Sequence, residues 1–247
     1  MSDSVNITEQ IDSDHWVQVL PFYIVCQESA SMGADGIALV NECIKELFRA
    51  INSDPVVDAK ARVSIVAFND SAEVILPLTQ LSSVATVPGC TASCGTSYAA
   101  AFTLLRRQIE SDVASLRATN RVLRPWVFFI CDGEPNPGDK WGKAHAALVD
   151  PSFHLRPNIV TLGLGAVCDA TLWALASQMP ATAEVLEGAV RRLAFRWADE
   201  IPQPGARLVV DVFLYLEEFL RRAYPVPFPG ISGLIEVSGP SDERPSR

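Results

Sequence analysis

Residues 20–32 read LPFYIVCQESASM. The first six, 20–25, form a short apolar run without helical period, and this reads as a buried strand. The strand gives way to Gln27-Glu28-Ser29-Ala30-Ser31-Met32, a polar segment at its carboxyl end. Downstream, Ile37, Val40, Ile44, Leu47, Phe48 and Ile51 recur at steps of three and four, which predicts an amphipathic helix over 37–51. Residues 61–68 and 73–78 read as two strands joined by Asn69-Asp70-Ser71, a hairpin.

The alternation continues along the chain. A loop of small residues, 88–96, precedes a helix over 98–116. An apolar strand, 126–130, ends in Asp132-Gly133-Glu134-Pro135. Then follow a helix at 140–148, a strand at 158–164, a helix at 169–178, a strand at 183–186 and a closing helix at 188–199. One hairpin followed by repeated strand–helix units predicts an α/β fold. Its sheet is open, doubly wound, mostly parallel and six-stranded, with 73–78 antiparallel at one edge. The expected organisation is a flexible leader at 1–15, one domain over 16–201, a helical extension over 202–224 and a disordered Pro-rich tail over 225–247. In the extension, Val209, Val212, Phe213, Leu216 and Leu220 form an apolar stripe, and Val210 and Leu214 widen it. That girth suits a helix packed on its own domain or one that also meets another chain.

The 247 residues carry 29 Asp plus Glu against 20 Lys plus Arg, a formal net charge of −9. This balance disfavours a nucleic-acid backbone or an anionic membrane as the partner. The opening MSDSVNITEQIDSD has neither a basic nor an apolar region of a secretory signal, so a cytoplasmic location is expected. Six cysteines without paired C-x-x-C knuckles then read as reduced thiols.

In an open α/β sheet, ligands bind beyond the carboxyl ends of the strands. Three polar segments are placed there: 27–32, Gly95-Thr96-Ser97 and 132–135. No phosphate loop, dinucleotide fingerprint or nucleophile elbow accompanies them. The expectation is therefore a binding protein and not an enzyme: a module that recruits a partner through this three-loop face or, alternatively, a structural subunit of a stable multiprotein assembly.

The runs YIVCQESASM (23–32), CGTSYAAAF (94–102) and VFFICDGEP (127–135) resemble, in order and spacing, three loops of von Willebrand factor A (vWA) domains. The likeness covers roughly residues 20–201. Within that family the pattern is most similar to the bacterial stress-associated TerY-like proteins of tellurite-resistance clusters. The shared features are the LPFYIV start, Pro77-Leu78-Thr79 after the hairpin, and Asp-Gly-Glu-Pro followed by Trp141.

The resemblance implies a strand order of 3-2-1-4-5-6 and a metal-ion-dependent adhesion site. It also implies a protein partner, such as a kinase, phosphatase or ATPase component of a stress or defence system. The family's metal set maps onto Ser29, Ser31, Thr96 and Asp132, but Gln27 stands where the first aspartate is usual. Mg²⁺ takes six hard oxygens and gains from carboxylate charge, so one missing anion makes Mg²⁺ weak or dependent on a partner's carboxylate. The other reading is a degenerate site whose polar groups bond to each other; Glu28 or Glu134 is a candidate to lend charge.

Cys26 precedes Gln27 and Cys131 precedes Asp132. By two-residue alternation both thiols are expected on the side opposite the site, and the strand order that the resemblance implies makes their strands neighbours. They would be either small core residues or a redox-sensitive pair joined by Cys90 or Cys94.

Overall fold

The computed structural model describes residues 16–132, 135–163, 171 and 174–176. The strand expected at 20–25 is longer: β1 is Val17–Gln27, buried from Val19 onward. It lies between parallel neighbours, which is why its sequence is apolar on both faces. On one side β2, Ala61–Phe68, pairs Leu20 with Ala61 through Gln27 with Phe68. The hairpin partner β3, Ala72–Thr79, runs antiparallel to β2 and forms the sheet edge. Its turn is closed by Asn69, whose Oδ1 accepts the Ser71 N–H at 2.9 Å.

On the other side β1 meets two strands in succession. β4, Asn120–Val122, pairs with Val17–Val19, and β5, Trp126–Cys131, pairs with Phe22–Cys26. Pro125 lies between them; it has no N–H for a ladder, and its carbonyl instead accepts the Asn158 N–H. Outside β5 lies β6, Asn158–Gly163. The order β3-β2-β1-β5-β6 is the expected 3-2-1-4-5, with β4 the strand that periodicity did not predict. Three residues are too few to show alternation. The strand expected at 183–186 lies outside the described residues, as do the leader, the helix at 188–199, the extension at 202–224 and the tail.

Alternation along the strands divides the core into two layers. α1, Gly33–Ser53, sets Ile37, Val40, Ile44, Phe48 and Ile51 against Phe22, Ile24, Val63, Ile65 and Phe128. A short helix, α2, Pro55–Lys60, follows at once. The opposite face packs under α3, Tyr98–Leu116, and α4, Trp141–Val149. There Phe68, Tyr98, Phe102 and Phe129 form a ring cluster with centroids 5.0–6.4 Å apart. Tyr98 is the first residue of α3, so this cluster anchors the loop that precedes it.

The expectation that Cys26 and Cys131 share a face is corrected. β1 and β5 pair Cys26 with Ile130, not with Cys131. A one-residue offset sends the side chain to the other face. Cys26 lies in the α1-side core and Cys131 in the α3-side core.

Candidate functional site

Three chain segments end together at the carboxyl edge of the sheet. Gln27 is the last residue of β1, Asp132 directly follows β5, and Thr96 stands two residues before α3. The Gln27 side chain joins them. Its Nε2 stands 2.8 Å from Ser29 Oγ, 3.1 Å from Thr96 Oγ1 and 2.6 Å from Asp132 Oδ1, three acceptors that share its two hydrogens. Its Oε1 accepts the Asp132 N–H at 3.3 Å. Ser29 Oγ also donates to the Asp132 carboxylate, at 3.2 and 3.4 Å. Gln27, Ser29 and Thr96 are 1%, 3% and 7% exposed, while Asp132 is half-buried. Ser31 lies in the 3-10 turn Ala30–Met32; its side chain, and residues 133 and 134, lie outside the description.

A second ring of residues holds this cluster, and of it the sequence reading placed only Gly95 and Ser97 at the site. Asn136 accepts the Thr96 N–H on Oδ1 at 3.1 Å and donates from Nδ2 to Asp70 Oδ1 at 2.7 Å. Its own N–H bonds the Thr96 carbonyl at 2.8 Å. Asn69 accepts the Ser97 N–H on its carbonyl at 2.6 Å, so the hairpin turn also grips the threonine loop. Ser97 caps α3 by accepting the Ala100 N–H, and Asp139 accepts that of Ala99, two acceptors for the unpaired amides of a helix start. Gly95 has φ +81°, and a Cβ there would run into the Asp70 carboxylate. The available signal was the Pro135-Asn136 step after Asp132, where a short polar side chain sits in a turn.

Glu28 turns away from Asp132. Its Oε1 accepts the Thr91 N–H at 2.7 Å, and its carbonyl accepts the Ser93 N–H at 2.8 Å. Burial raises its carboxyl above the ordinary value; the Thr91 bond opposes this and the Glu73 charge adds to it. Cys90 is held beside it, its N–H and carbonyl both bonded to the Asn41 amide of α1. A hydrogen bond with the Cys90 thiol, and then burial, push the Cys26 thiol well above its usual range, so Cys26 is a protonated core group.

The geometry limits the chemistry. Ser29 is buried with its hydroxyl bonded to Asp132, closed to attack on a substrate. His145 bonds the Leu175 carbonyl and packs on Phe102 and Trp141, and His154 lies beside Phe153; neither stands with the three loops. Among the described residues, no three His, Cys, Asp or Glu side chains stand together as metal ligands. Nor do the described side chains, which leave out Ser31 and Glu134, form a donor set that fits Mg²⁺. One carboxylate and two hydroxyls converge on an amide nitrogen, which has no lone pair to give a metal.

The von Willebrand factor type A domain model matches residues 22–183. Among solved structures, the chain is similar to VWA2, an ArnB paralog from Sulfolobus acidocaldarius. Identity is 15%, coverage is 65% of this chain and 39% of that one, and the TM-score is 0.47. It is similar to proximal thread matrix protein 1 of the mussel byssus, with 13% identity, 73% and 46% coverage, and a TM-score of 0.43. The pilus adhesin SpaC of Lactobacillus rhamnosus GG matches at 14% identity, 48% and 16% coverage, and a TM-score of 0.39. The chain thus spans less than half the length of each of these structures. No curated protein matches the sequence. No helix among the described residues is long and apolar enough to cross a membrane. With two thirds of its length under the family model and its three loops gathered at one end of the expected sheet, the chain belongs to the von Willebrand factor type A domain family.

Proposed function

We propose that the chain is a non-enzymatic recruiting module that docks a protein partner on the face formed by the loops around Gln27, Thr96 and Asp132. Domains of this family are commonly protein-interaction modules. The observation that carries the reading is the convergence of three loops from distant parts of the chain on one half-buried carboxylate, Asp132. Such loops on a rigid sheet suit recognition. The finer reading is a cytoplasmic, TerY-like protein that scaffolds a kinase, phosphatase or ATPase component in a bacterial stress or defence system. Its support is the LPFYIV start, Pro77-Leu78-Thr79 and the Asp132 to Trp141 segment.

The test is affinity capture from the source cells with the wild-type chain and with Asp132→Ala and Asn136→Ala, each first shown to be folded. The wild type should retain a defined protein in stoichiometric amount, and both variants should lose it. Equal capture by all three would refute the face as the docking surface. Phosphoester turnover by the purified chain that disappears in Asp132→Ala would refute the non-enzymatic reading.

A further inference from the structure

The Gln27 amide nitrogen occupies the point on which Ser29 Oγ, Thr96 Oγ1 and Asp132 Oδ1 converge. The chemistry of its neighbours fixes which end of the amide sits there. An ionised carboxylate only accepts, so the atom 2.6 Å from Asp132 Oδ1 must be the donor. The Asp132 N–H only donates, and it faces the amide's other end, Oε1. Turning the amide over would set oxygen against oxygen and N–H against NH₂. A small cation would need the same three oxygens at about 2.0–2.1 Å, the distance Mg²⁺ demands. It cannot share that point with the nitrogen, and the amide that would have to leave is 1% exposed.

We propose that in this chain the Gln27 amide does the work of a cation: it ties the three loops into one face, which then docks its partner without a bound divalent metal. The docking clause rests on the recruiting reading above. The tie itself involves only this chain's residues and is testable with no partner present.

The experiment is thermal melting and calorimetric titration of the full chain with Mg²⁺ and Mn²⁺. Wild type should melt at the same temperature with chelator or with either metal, and show no saturable heat. Gln27→Asp places a second carboxylate beside Asp132. It should melt lower in chelator, recover with Mn²⁺ or Mg²⁺, and show saturable heat with either where wild type shows none, because added ligand charge raises affinity. Gln27→Met keeps the length and loses the bonds; it should melt lower and gain nothing from metal. Wild-type binding as tight as that of Gln27→Asp, or a wild-type melt that rises with Mg²⁺, would overturn the proposal. So would a Gln27→Met chain as stable as wild type. None of these readouts involves a partner, so they can fail while the recruiting reading stands, and the reverse.

Discussion

Gln27 and Asp132 lie 105 positions apart in sequence, yet the Gln27 amide donates to Asp132 Oδ1 at 2.6 Å and accepts from the Asp132 backbone N–H at 3.3 Å. The pairing is reciprocal, and one partner is ionised. Hydrogen bonds to a charged group are worth roughly 1.5–3 kcal/mol, more than bonds between neutral groups. Two neighbouring strand ends, β1 and β5, are thereby joined past the point where their ladder stops.

Thr96 supplies the third acceptor, from a loop that no strand ladder holds in place. Thr96→Val keeps the shape and removes one of three acceptors that share the two amide hydrogens of Gln27. A loss of about 0.5–1.5 kcal/mol is expected, the net worth of one hydrogen bond, because Ser29 and Asp132 still serve the amide. Thr96→Ser should lose far less. Urea unfolding of the two variants measures the difference.

Gly95 is required on two grounds. Its φ of +81° disfavours any side chain, and the Asp70 carboxylate fills the space a Cβ would need. The left-handed backbone alone costs an alanine about 1–2 kcal/mol. Gly95→Ala should exceed that figure in equilibrium unfolding, because Asp70 must also move and its bond with Asn136 must break. Gly95→Ala combined with Asp70→Ala should cost less than the sum of the single changes.

Glu28 gives a pH prediction with a definite sign. Its folded-state pKa is raised above the ordinary 4.5, chiefly by burial. Its contribution to stability is therefore fully present below pH 4.5 and is lost as pH rises through the raised value. Glu28→Gln keeps an acceptor for the Thr91 N–H and removes the charge. The variant should melt higher than wild type at pH 7, and the gain should vanish near pH 4. A gain that grew on acidification would contradict the assignment.

The layer assignment of the thiols can be read by labelling. Cys94 is exposed, Cys43 is half-buried, and Cys26, Cys90 and Cys131 are buried. Burial with the charge of Glu42 nearby pushes the Cys43 thiol up to about 12, so it too is protonated at neutral pH. Among the described cysteines, a thiol reagent followed by peptide mass spectrometry should modify Cys94 first, and Cys26 and Cys131 only on unfolding. Mild oxidation should yield no Cys26–Cys131 disulfide, since the two lie on opposite faces of the sheet.

Much of this was legible in the sequence, for definite reasons. The apolar runs at 20–25 and 126–130 are buried on both faces, and their shortness and polar flanks mark them as central strands and not as helices. The i, i+3, i+4 spacing from Ile37 to Ile51 found α1, although that helix begins earlier, at Gly33. α2 carried a readable signal that periodicity alone passes over: Asp54 caps it by accepting the Val56 N–H, and Pro55 fills its first position. β4 had no such signal. The register between β1 and β5, which separates Cys26 from Cys131, depends on backbone pairing that no side-chain pattern encodes. Likewise, sequence could place Gln27 near Asp132. That its nitrogen, not its carbonyl, would face the carboxylate is a property of the packed hydrogen-bond network.

The central claim is that the Gln27 NH₂ group is held in place by Ser29, Thr96 and Asp132, and its side-chain amide resonances in a nitrogen-15-labelled full chain report on this most directly. The account predicts two resolved Gln27 proton signals that exchange slowly with water and keep their intensity when paramagnetic Mn²⁺ is added. Fast exchange, or broadening of those two signals by Mn²⁺ ahead of the other side-chain amides, would show the nitrogen free and the metal beside it, and would contradict the account.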